Sequence, residues 1–91
     1  MSYLVIDRAG TGFYNKGGVL NRLTGPALRC HNGAKFYSKN GRYHRVGGPA
    51  ILLPNGHQEW WYEGKRHRVG GPAVVTEDGE FEFWVHGEQW Q

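Results

Sequence analysis

One spacing dominates the sequence: the tripeptide Gly-Pro-Ala occurs three times, beginning at Gly25, Gly48 and Gly71, at intervals of 23 residues. A fixed period of this length is typical of repeat proteins, in which each unit packs on its neighbours. Other columns keep the same interval: Gly10, Gly33, Gly56 and Gly79; Gly18, Gly41, Gly64 and Gly87; Tyr14, Tyr37, Trp60 and Phe83; Arg22, Arg45 and Arg68; Leu23, Val46 and Val69. The chain is therefore expected to form a row of equivalent units.

Each unit has two short β-prone runs around an Asn-Gly or Asp-Gly dipeptide at 32–33, 55–56 or 78–79. Such dipeptides favour the two positive-φ positions of a type I′ hairpin turn. Fifteen glycines and four prolines speak against helices. The sequence therefore predicts one all-β domain, 1–91, built as an elongated, twisted antiparallel sheet of four β-hairpins near 3–16, 27–38, 50–62 and 73–85. Segments 41–48 and 64–71 are expected to link the hairpins, because their closing proline cannot donate to a β-ladder.

Alternation along the strands assigns side chains to the two faces of the sheet. The aromatic column Tyr14, Tyr37, Trp60 and Phe83 is expected to be the packed face. The opposite face then carries Phe13, Phe36, Glu59 and Glu82, together with Asn15, Ser38, Trp61 and Trp84. On that face Trp61 and Trp84 are aromatic residues that packing does not require. The sheet edges are expected near 4–6 and 83–85.

The pattern resembles the MORN family of 23-residue repeats over most of the chain. In that family the unit reads roughly Tyr-x-Gly-x-x-x-x-Gly-Lys-x-His-Gly-x-Gly, and residues 64–67 (Gly-Lys-Arg-His) match its core. Residues 44–50 and 67–73 read His-Arg-Val-Gly-Gly-Pro-Ala, where the family has His-Gly-x-Gly. This variant is similar to one found in bacteriophage and giant-virus proteins. The resemblance implies an elongated sheet of hairpins used as a scaffold or docking surface.

Charge is unevenly distributed along the chain. Residues 1–58 carry eight Lys/Arg and one acid, whereas residues 59–91 carry three Lys/Arg and seven acids. Those acids would repel an extended polyanion, so long nucleic acid is not an expected partner. No apolar run approaches the ~20 residues that span a bilayer, and the first residues lack a signal-peptide layout. A cytoplasmic protein without a membrane partner is expected, in the host cytoplasm if it is phage-encoded.

The sequence offers no set of catalytic or metal-ligating residues. Cys30 is the single cysteine, which excludes an intrachain disulfide and a cysteine-built zinc site. His44 and His67 lie one repeat apart, roughly 10 Å at ~4.8 Å per strand, which is too far for one zinc ion. We therefore predict a protein that is not an enzyme and needs no cofactor or metal.

Cations and aromatic residues nevertheless cluster before each Gly-Pro-Ala tripeptide. In one interpretation the repeated His-Arg pairs are structural: they cap backbone groups or stack on a neighbouring ring. In the other they bind an anionic ligand, because cations hold phosphate and aromatic faces stack on bases. The candidate ligand-binding residues are Arg42, Tyr43, His44, Arg45, Trp61, Lys65, Arg66, His67 and Arg68.

The favoured function is a phage-type accessory or anti-defence factor that sequesters an anionic ligand such as a nucleotide signal. The alternative is a docking or structural module that blocks or scaffolds a host or viral protein, such as a host defence protein, through its sheet edge and exposed aromatic residues. Exposed edges and opposite charges at the two ends also predict a homodimer or a small ring. Val5, Trp84 and Trp90 are the expected interface residues.

Overall fold

The computed structural model describes residues 3–6 and 8–90, with Tyr3 described by its backbone alone. These residues contain no helix, and therefore none long and apolar enough to cross a membrane. The strands are β1 (Tyr3–Ile6), β2 (Gly10–Tyr14), β3 (Leu28–Cys30), β4 (Lys35–Phe36), β5 (Ser38–Lys39), β6 (Arg42–Tyr43), β7 (Ile51–Leu52), β8 (Gln58–Glu59), β9 (Trp61–Tyr62), β10 (Lys65–Arg66), β11 (Val74–Val75), β12 (Phe81–Val85) and β13 (Glu88–Trp90). The predicted all-β fold class is confirmed.

Nine of the described strands form one antiparallel sheet in the order β1-β2-β3-β4-β7-β8-β11-β12-β13. The four predicted hairpins are present as β1–β2, β3–β4, β7–β8 and β11–β12, with shorter strands than the sequence suggested. Strands β5–β6 and β9–β10 form separate two-stranded hairpins. The molecule is elongated, with principal extents of 40 × 25 × 16 Å.

The turns at the Asn-Gly and Asp-Gly dipeptides are not the predicted type I′ turns, because only their glycines have positive φ. The Cys30 carbonyl accepts the Gly33 N–H at 3.0 Å, and the Cys30 N–H donates to the Ala34 carbonyl at 2.9 Å. This is a three-residue loop of the kind built from a type I turn and a bulge. The Asn32 side chain favours it, because its Oδ1 accepts the Ala34 N–H at 3.0 Å.

Type I′ geometry occurs instead at the start of the two predicted linkers, 41–48 and 64–71, and at 86–87. Both central residues have positive φ in three two-residue turns: Asn40-Gly41, Glu63-Gly64 and His86-Gly87. These turns join β5 to β6, β9 to β10 and β12 to β13. Only the first has the Asn-Gly signal that favours this turn. Each repeat therefore contains two hairpins rather than one, and the true linkers are the shorter segments 21–27, 44–50 and 67–73.

The first repeat is one residue out of register with the predicted alignment. The Phe13 N–H donates to the Ala27 carbonyl at 2.8 Å, as Tyr37 does to Ala50 and Trp60 does to Ala73 at 2.7 Å. Phe13, and not Tyr14, therefore belongs to the aromatic column. The extra residue lies in the loop after Asn15, which has three residues and is closed by a bond from the Asn15 N–H to the Val19 carbonyl.

The best-buried column is the alanine of Gly-Pro-Ala, and not the aromatic column that was predicted. Ala27, Ala50 and Ala73 are 0 % exposed, and no large side chain among the described residues is fully buried. The register places these alanines between the rings, in the row Phe13, Ala27, Tyr37, Ala50, Trp60, Ala73 and Phe83. Small and large side chains therefore alternate across one face, and the rings stay half-exposed beside the alanines.

The two edges of the sheet are β1 and β13. The edge near 4–6 is therefore confirmed. The edge near 83–85 is wrong, because β12 is covered by β13, with Phe83 opposite Trp90 and Val85 opposite Glu88. Strand β13 was not predicted, because it belongs to the second hairpin of the repeat.

Candidate functional site

Each linker holds an arginine between an aromatic ring and a glycine. In the second repeat the Cζ of Arg45 lies 3.9 Å from the centroid of the Tyr37 ring. On its other side, a Cβ added to Gly48 would lie 2.9 Å from the same Cζ. The Nη1 atom donates to the Pro49 carbonyl at 3.0 Å. The glycine of Gly-Pro-Ala therefore leaves room for the guanidinium group, which a Cβ at this position would displace.

We call this arrangement the arginine clamp, and it occurs three times. Arg68 lies 4.0 Å from the Trp60 ring, and Arg22 lies 3.9 Å from the Phe13 ring. The corresponding bonds to the Pro72 and Pro26 carbonyls are 3.0 and 3.3 Å long. The structural interpretation of the arginines thus has both of its expected contacts, ring stacking and carbonyl capping. The sheet face that carries the three clamps is called the arginine face below.

A second column, next to the clamps, links each repeat to the following one. Nδ1 of His67 accepts the His86 N–H at 2.9 Å, and Nδ1 of His44 accepts the Glu63 N–H at 3.1 Å. In the first repeat Asn21 Oδ1 accepts the Asn40 N–H at 3.0 Å. Each donor is the first positive-φ residue of the next type I′ turn. The repeated histidines therefore act as acceptors that hold neighbouring hairpins together.

The apolar column Leu23, Val46 and Val69 is not used by these contacts. These side chains are 76 %, 77 % and 79 % exposed, although each follows a clamp arginine directly. The column borders three clefts of about 340, 430 and 540 Å³, each formed by one linker and the aromatic residue of the next repeat: Tyr37, Trp60 and Phe83. The arginine face is therefore a periodic surface with one exposed apolar side chain and one cleft per repeat.

Two further cations lie on the arginine face, and neither has an ion pair with an acid among the residues that the structure describes. Arg29 and Lys35 are exposed and directly opposite each other on neighbouring strands. Like charges in this relation are destabilising. The row that contains them, Thr11, Arg29, Lys35, Leu52, Gln58, Val75 and Phe81, has no acid. This part of the surface thus carries uncompensated positive charge.

The opposite face, called the glutamate face, has a network of paired charges and rings. Trp61 Nε1 donates to Glu59 Oε1 at 2.9 Å, and Trp84 repeats this bond with Glu82 at 2.9 Å. Arg66 lies 3.4 Å from Glu59 and between the two indoles, 5.3 and 5.2 Å from their centroids. The two tryptophans that packing does not require are therefore each oriented by the carboxylate two residues earlier in the chain.

Glu59 is the centre of this network. Its Oε2 lies 2.7 Å from His57 Nε2. Partial burial raises the pKa of the Glu59 carboxyl, but hydrogen bonds from His57 and Trp61 and the charge of Arg66 outweigh burial and lower the pKa overall. The carboxylate therefore stays ionised and neutralises Arg66, which reduces the attraction of this face for anions.

Arg42 and Lys65 differ from the other cations near this network. Both are exposed, and neither side chain has a hydrogen bond or ion pair within residues 3–6 and 8–90. They run along the glycines of the neighbouring type I′ turns, since a Cβ on Gly64 or Gly87 would lie 3.4 or 3.5 Å from their side chains. Lys65 also borders a cleft of about 380 Å³ between Trp61 and Trp84.

The nine predicted ligand-binding residues therefore do not form one site. His44, Arg45, His67 and Arg68 border the clefts of the arginine face. Trp61, Lys65 and Arg66 lie together at the cleft of the glutamate face. Tyr43 joins the second group, 5.3 Å from the Trp61 ring, and Arg42 extends along Gly64 at the rim.

The predicted interface residues are also separated. Val5 lies exposed on β1, and Trp90 lies 60 % exposed on β13. Trp84 is half-buried and bonded to Glu82 on the glutamate face. No role was predicted for Leu23, Val46 and Val69, although they form a strict repeat column. An apolar residue repeated inside a Gly-rich linker was the signal that marked them.

Within the described part of the chain, no three His, Cys, Asp or Glu side chains come together as a metal site. The chain matches no family profile, no characterised protein and no solved structure. The function of this chain is therefore inferred from the geometry of its two faces.

Proposed function

We propose that this chain is a non-catalytic β-repeat module that docks a protein partner on its arginine face. The observation that carries the proposal is the apolar column. Leu23, Val46 and Val69 are more than three-quarters exposed at one position of three successive repeats. Neither the arginine clamp nor the histidine column needs them. Exposed apolar side chains that recur with a surface cleft are typical of an interaction surface.

The spacing of the column defines the partner that we propose. Equivalent positions are two strands apart, or about 10 Å at ~4.8 Å per strand. A segment in the extended polyproline II conformation with an apolar side chain at every third residue has nearly the same spacing, because this conformation has three residues per turn and rises about 3.1 Å per residue. Arg29 and Lys35 add positive charge beside the column. The proposed partner segment is therefore extended, acidic and apolar at every third position.

Because the sequence resembles MORN-like repeats of phage and giant-virus proteins, a host protein is the first kind of partner to test. A synthetic peptide of repeated Leu-Asp-Glu triplets is a suitable probe, with Leu-Lys-Ser triplets as its control. We expect the acidic peptide alone to bind in fluorescence titration. Val46→Ser should weaken that binding at least fivefold without changing the melting temperature. Equal binding of both peptides, or no effect of Val46→Ser, would contradict the proposal.

A second candidate function is sequestration of an anionic nucleotide at the glutamate face. The observation that favours it is the cleft between Trp61 and Trp84, with Lys65 at its border and Arg42 near it. Indole faces stack on bases, and unpaired cations hold phosphate. Since Glu59 already pairs with Arg66, Lys65 and Arg42 would supply the phosphate contacts.

Calorimetry with linear and cyclic nucleotides tests this second candidate. Trp61→Ala should weaken binding by about 1–3 kcal/mol, and Lys65→Ala should make the remaining binding less salt-dependent. Val46→Ser, on the other face, is the control and should leave nucleotide binding unchanged. Absence of heat with every nucleotide in the panel would eliminate this candidate and leave protein docking.

A further inference from the structure

The last repeat differs from the others at the aromatic position of the clamp. Phe83 occupies the place of Tyr37 and Trp60, but no arginine among the described residues stacks on it. It is 44 % exposed, and the neighbouring Phe81 is 61 % exposed. The third cleft of the arginine face, about 540 Å³, lies between Val69, Phe83 and Trp90. This end of the sheet is therefore an apolar surface in the position that the next clamp would cover.

The other end of the sheet is apolar as well. On β1 the side chains of Leu4, Val5 and Ile6 are all exposed, although neighbours in a strand point to opposite faces. No strand among the described residues pairs with the outer side of β1. It has neither a charge nor a proline within 4–6, the features that normally prevent an edge from pairing. This edge is thus able to accept another strand.

Charge distinguishes the two ends. Arg8 and Lys16 are exposed near β1. Glu80 and Glu88 are exposed near the outer side of β12 and on β13. Two β1 edges would bring like positive charges together, and two β13 edges would bring like negative charges together. The exposed charges therefore favour contact between unlike ends over contact between like ends.

We infer that the chain assembles head to tail, with β1 of one copy against the β12–β13 end of another. In this arrangement the sheet continues from copy to copy. The basic end of one copy then lies next to Phe83 of the other, the ring on which no described arginine stacks. The contact joins two different surfaces, so it gives a ring or an open chain. The long axis of 40 Å corresponds to about eight strand spacings of ~4.8 Å. The two ends of a straight sheet of this length cannot both meet the ends of one partner, so assembly beyond two copies is expected.

Light scattering on the unmodified protein is the first test. We expect an average mass well above twice 10.3 kDa at low salt, and a mass that decreases as salt is raised. Trp90→Lys should reduce the mass at equal concentration, whereas Val46→Ser, away from both ends, should leave it unchanged. A mass of 10.3 kDa at every concentration and salt, or one that stops at two copies, would overturn the inference.

Cross-linking determines which ends meet. In a Cys30→Ser background, Val5→Cys and Gln89→Cys are prepared as separate proteins, and their melting curves are checked against the parent. With a short bismaleimide, head-to-tail contact predicts cross-linked dimers in the mixture and few in either protein alone. Dimers formed as readily by Val5→Cys alone would indicate contact between two β1 edges and overturn the inference. Both tests are independent of the docking function, because they measure contact between copies of the chain and contain no partner peptide.

Discussion

The arginine clamp can be tested from either of its two sides, and Arg68 is the best place to begin. Tryptophan is the strongest ring partner for a cation, and a half-buried contact of this kind contributes about 1–2 kcal/mol. The 3.0 Å bond from Arg68 to the Pro72 carbonyl is of the charged class that contributes about 1.5–3 kcal/mol. Because one guanidinium makes both contacts, the two values do not add fully. We expect Arg68→Ala to lower the free energy of unfolding by about 2–3 kcal/mol.

Gly71→Ala perturbs the same clamp from the opposite side. The new Cβ would lie 2.8 Å from the Arg68 Cζ, so the guanidinium must move away from the Trp60 ring. Gly71 does not have φ in the left-handed region, so left-handed backbone strain does not contribute. Insertion of a methyl group into a filled site costs about 1–3 kcal/mol. If the clamp causes this cost, Gly71→Ala should cost much less once Arg68 is already alanine.

Urea and thermal unfolding of the parent, the two single variants and the double variant measure this coupling directly. A loss of about 2 kcal/mol should lower the melting temperature by roughly 10 °C in a domain of this size. Arg42→Ala, which removes an exposed arginine without an ion pair, is the matched control and should change stability by less than about 0.5 kcal/mol. Additive effects of Arg68→Ala and Gly71→Ala would refute the clamp.

Three other predictions concern the turns, the histidine column and the glutamate face. Gly56 has φ of 95°, so Gly56→Val should lower the free energy of unfolding by at least about 1 kcal/mol, and an unchanged melting curve would contradict the loop geometry. His67→Leu removes the acceptor of the exposed His86 N–H and should cost about 0.5–1.5 kcal/mol. His67→Asn should retain most of that stability, because Asn21 already performs this role in the first repeat. The lowered pKa of Glu59 predicts stability that is present above about pH 4.3 and lost as pH falls through the folded-state pKa, and acid titrations of unfolding should show a smaller loss for Glu59→Gln.

The hairpins could be predicted from sequence because their signals are local. Strand alternation and the Gly-containing loops at 32–33, 55–56 and 78–79 identify where the chain reverses. The type of turn was less predictable, since it depends on which backbone groups the loop side chains bond. Asn32 closes a three-residue loop, whereas Asn40, in the same dipeptide, occupies a two-residue turn with positive φ. Identical dipeptides therefore have different conformations in different strand registers.

The candidate site was only partly predictable, for a similar reason. The sequence identified Arg45 and Arg68 as a repeated column and proposed stacking or capping as one of two roles. It did not indicate that the glycine three residues later lies on the other side of each guanidinium group. The division of the nine candidates between two faces also depends on the register of the second hairpins, in which Arg66 pairs with Trp61. That register follows from the turn at 63–64, which lacks the usual dipeptide.

By itself the sequence determined the period of 23, the all-β class, the four main hairpins and the uneven charge. These properties depend on residue order, turn residues and composition, all of which are local or additive along the chain. The tertiary structure decided that alanine is the buried column, that Phe13 replaces Tyr14 in the first repeat, and that β13 is the edge. These features arise from contacts between neighbouring strands and repeats. One inserted residue, or one guanidinium placed between a ring and a glycine, changes which side chains meet while the repeat pattern of the sequence stays the same.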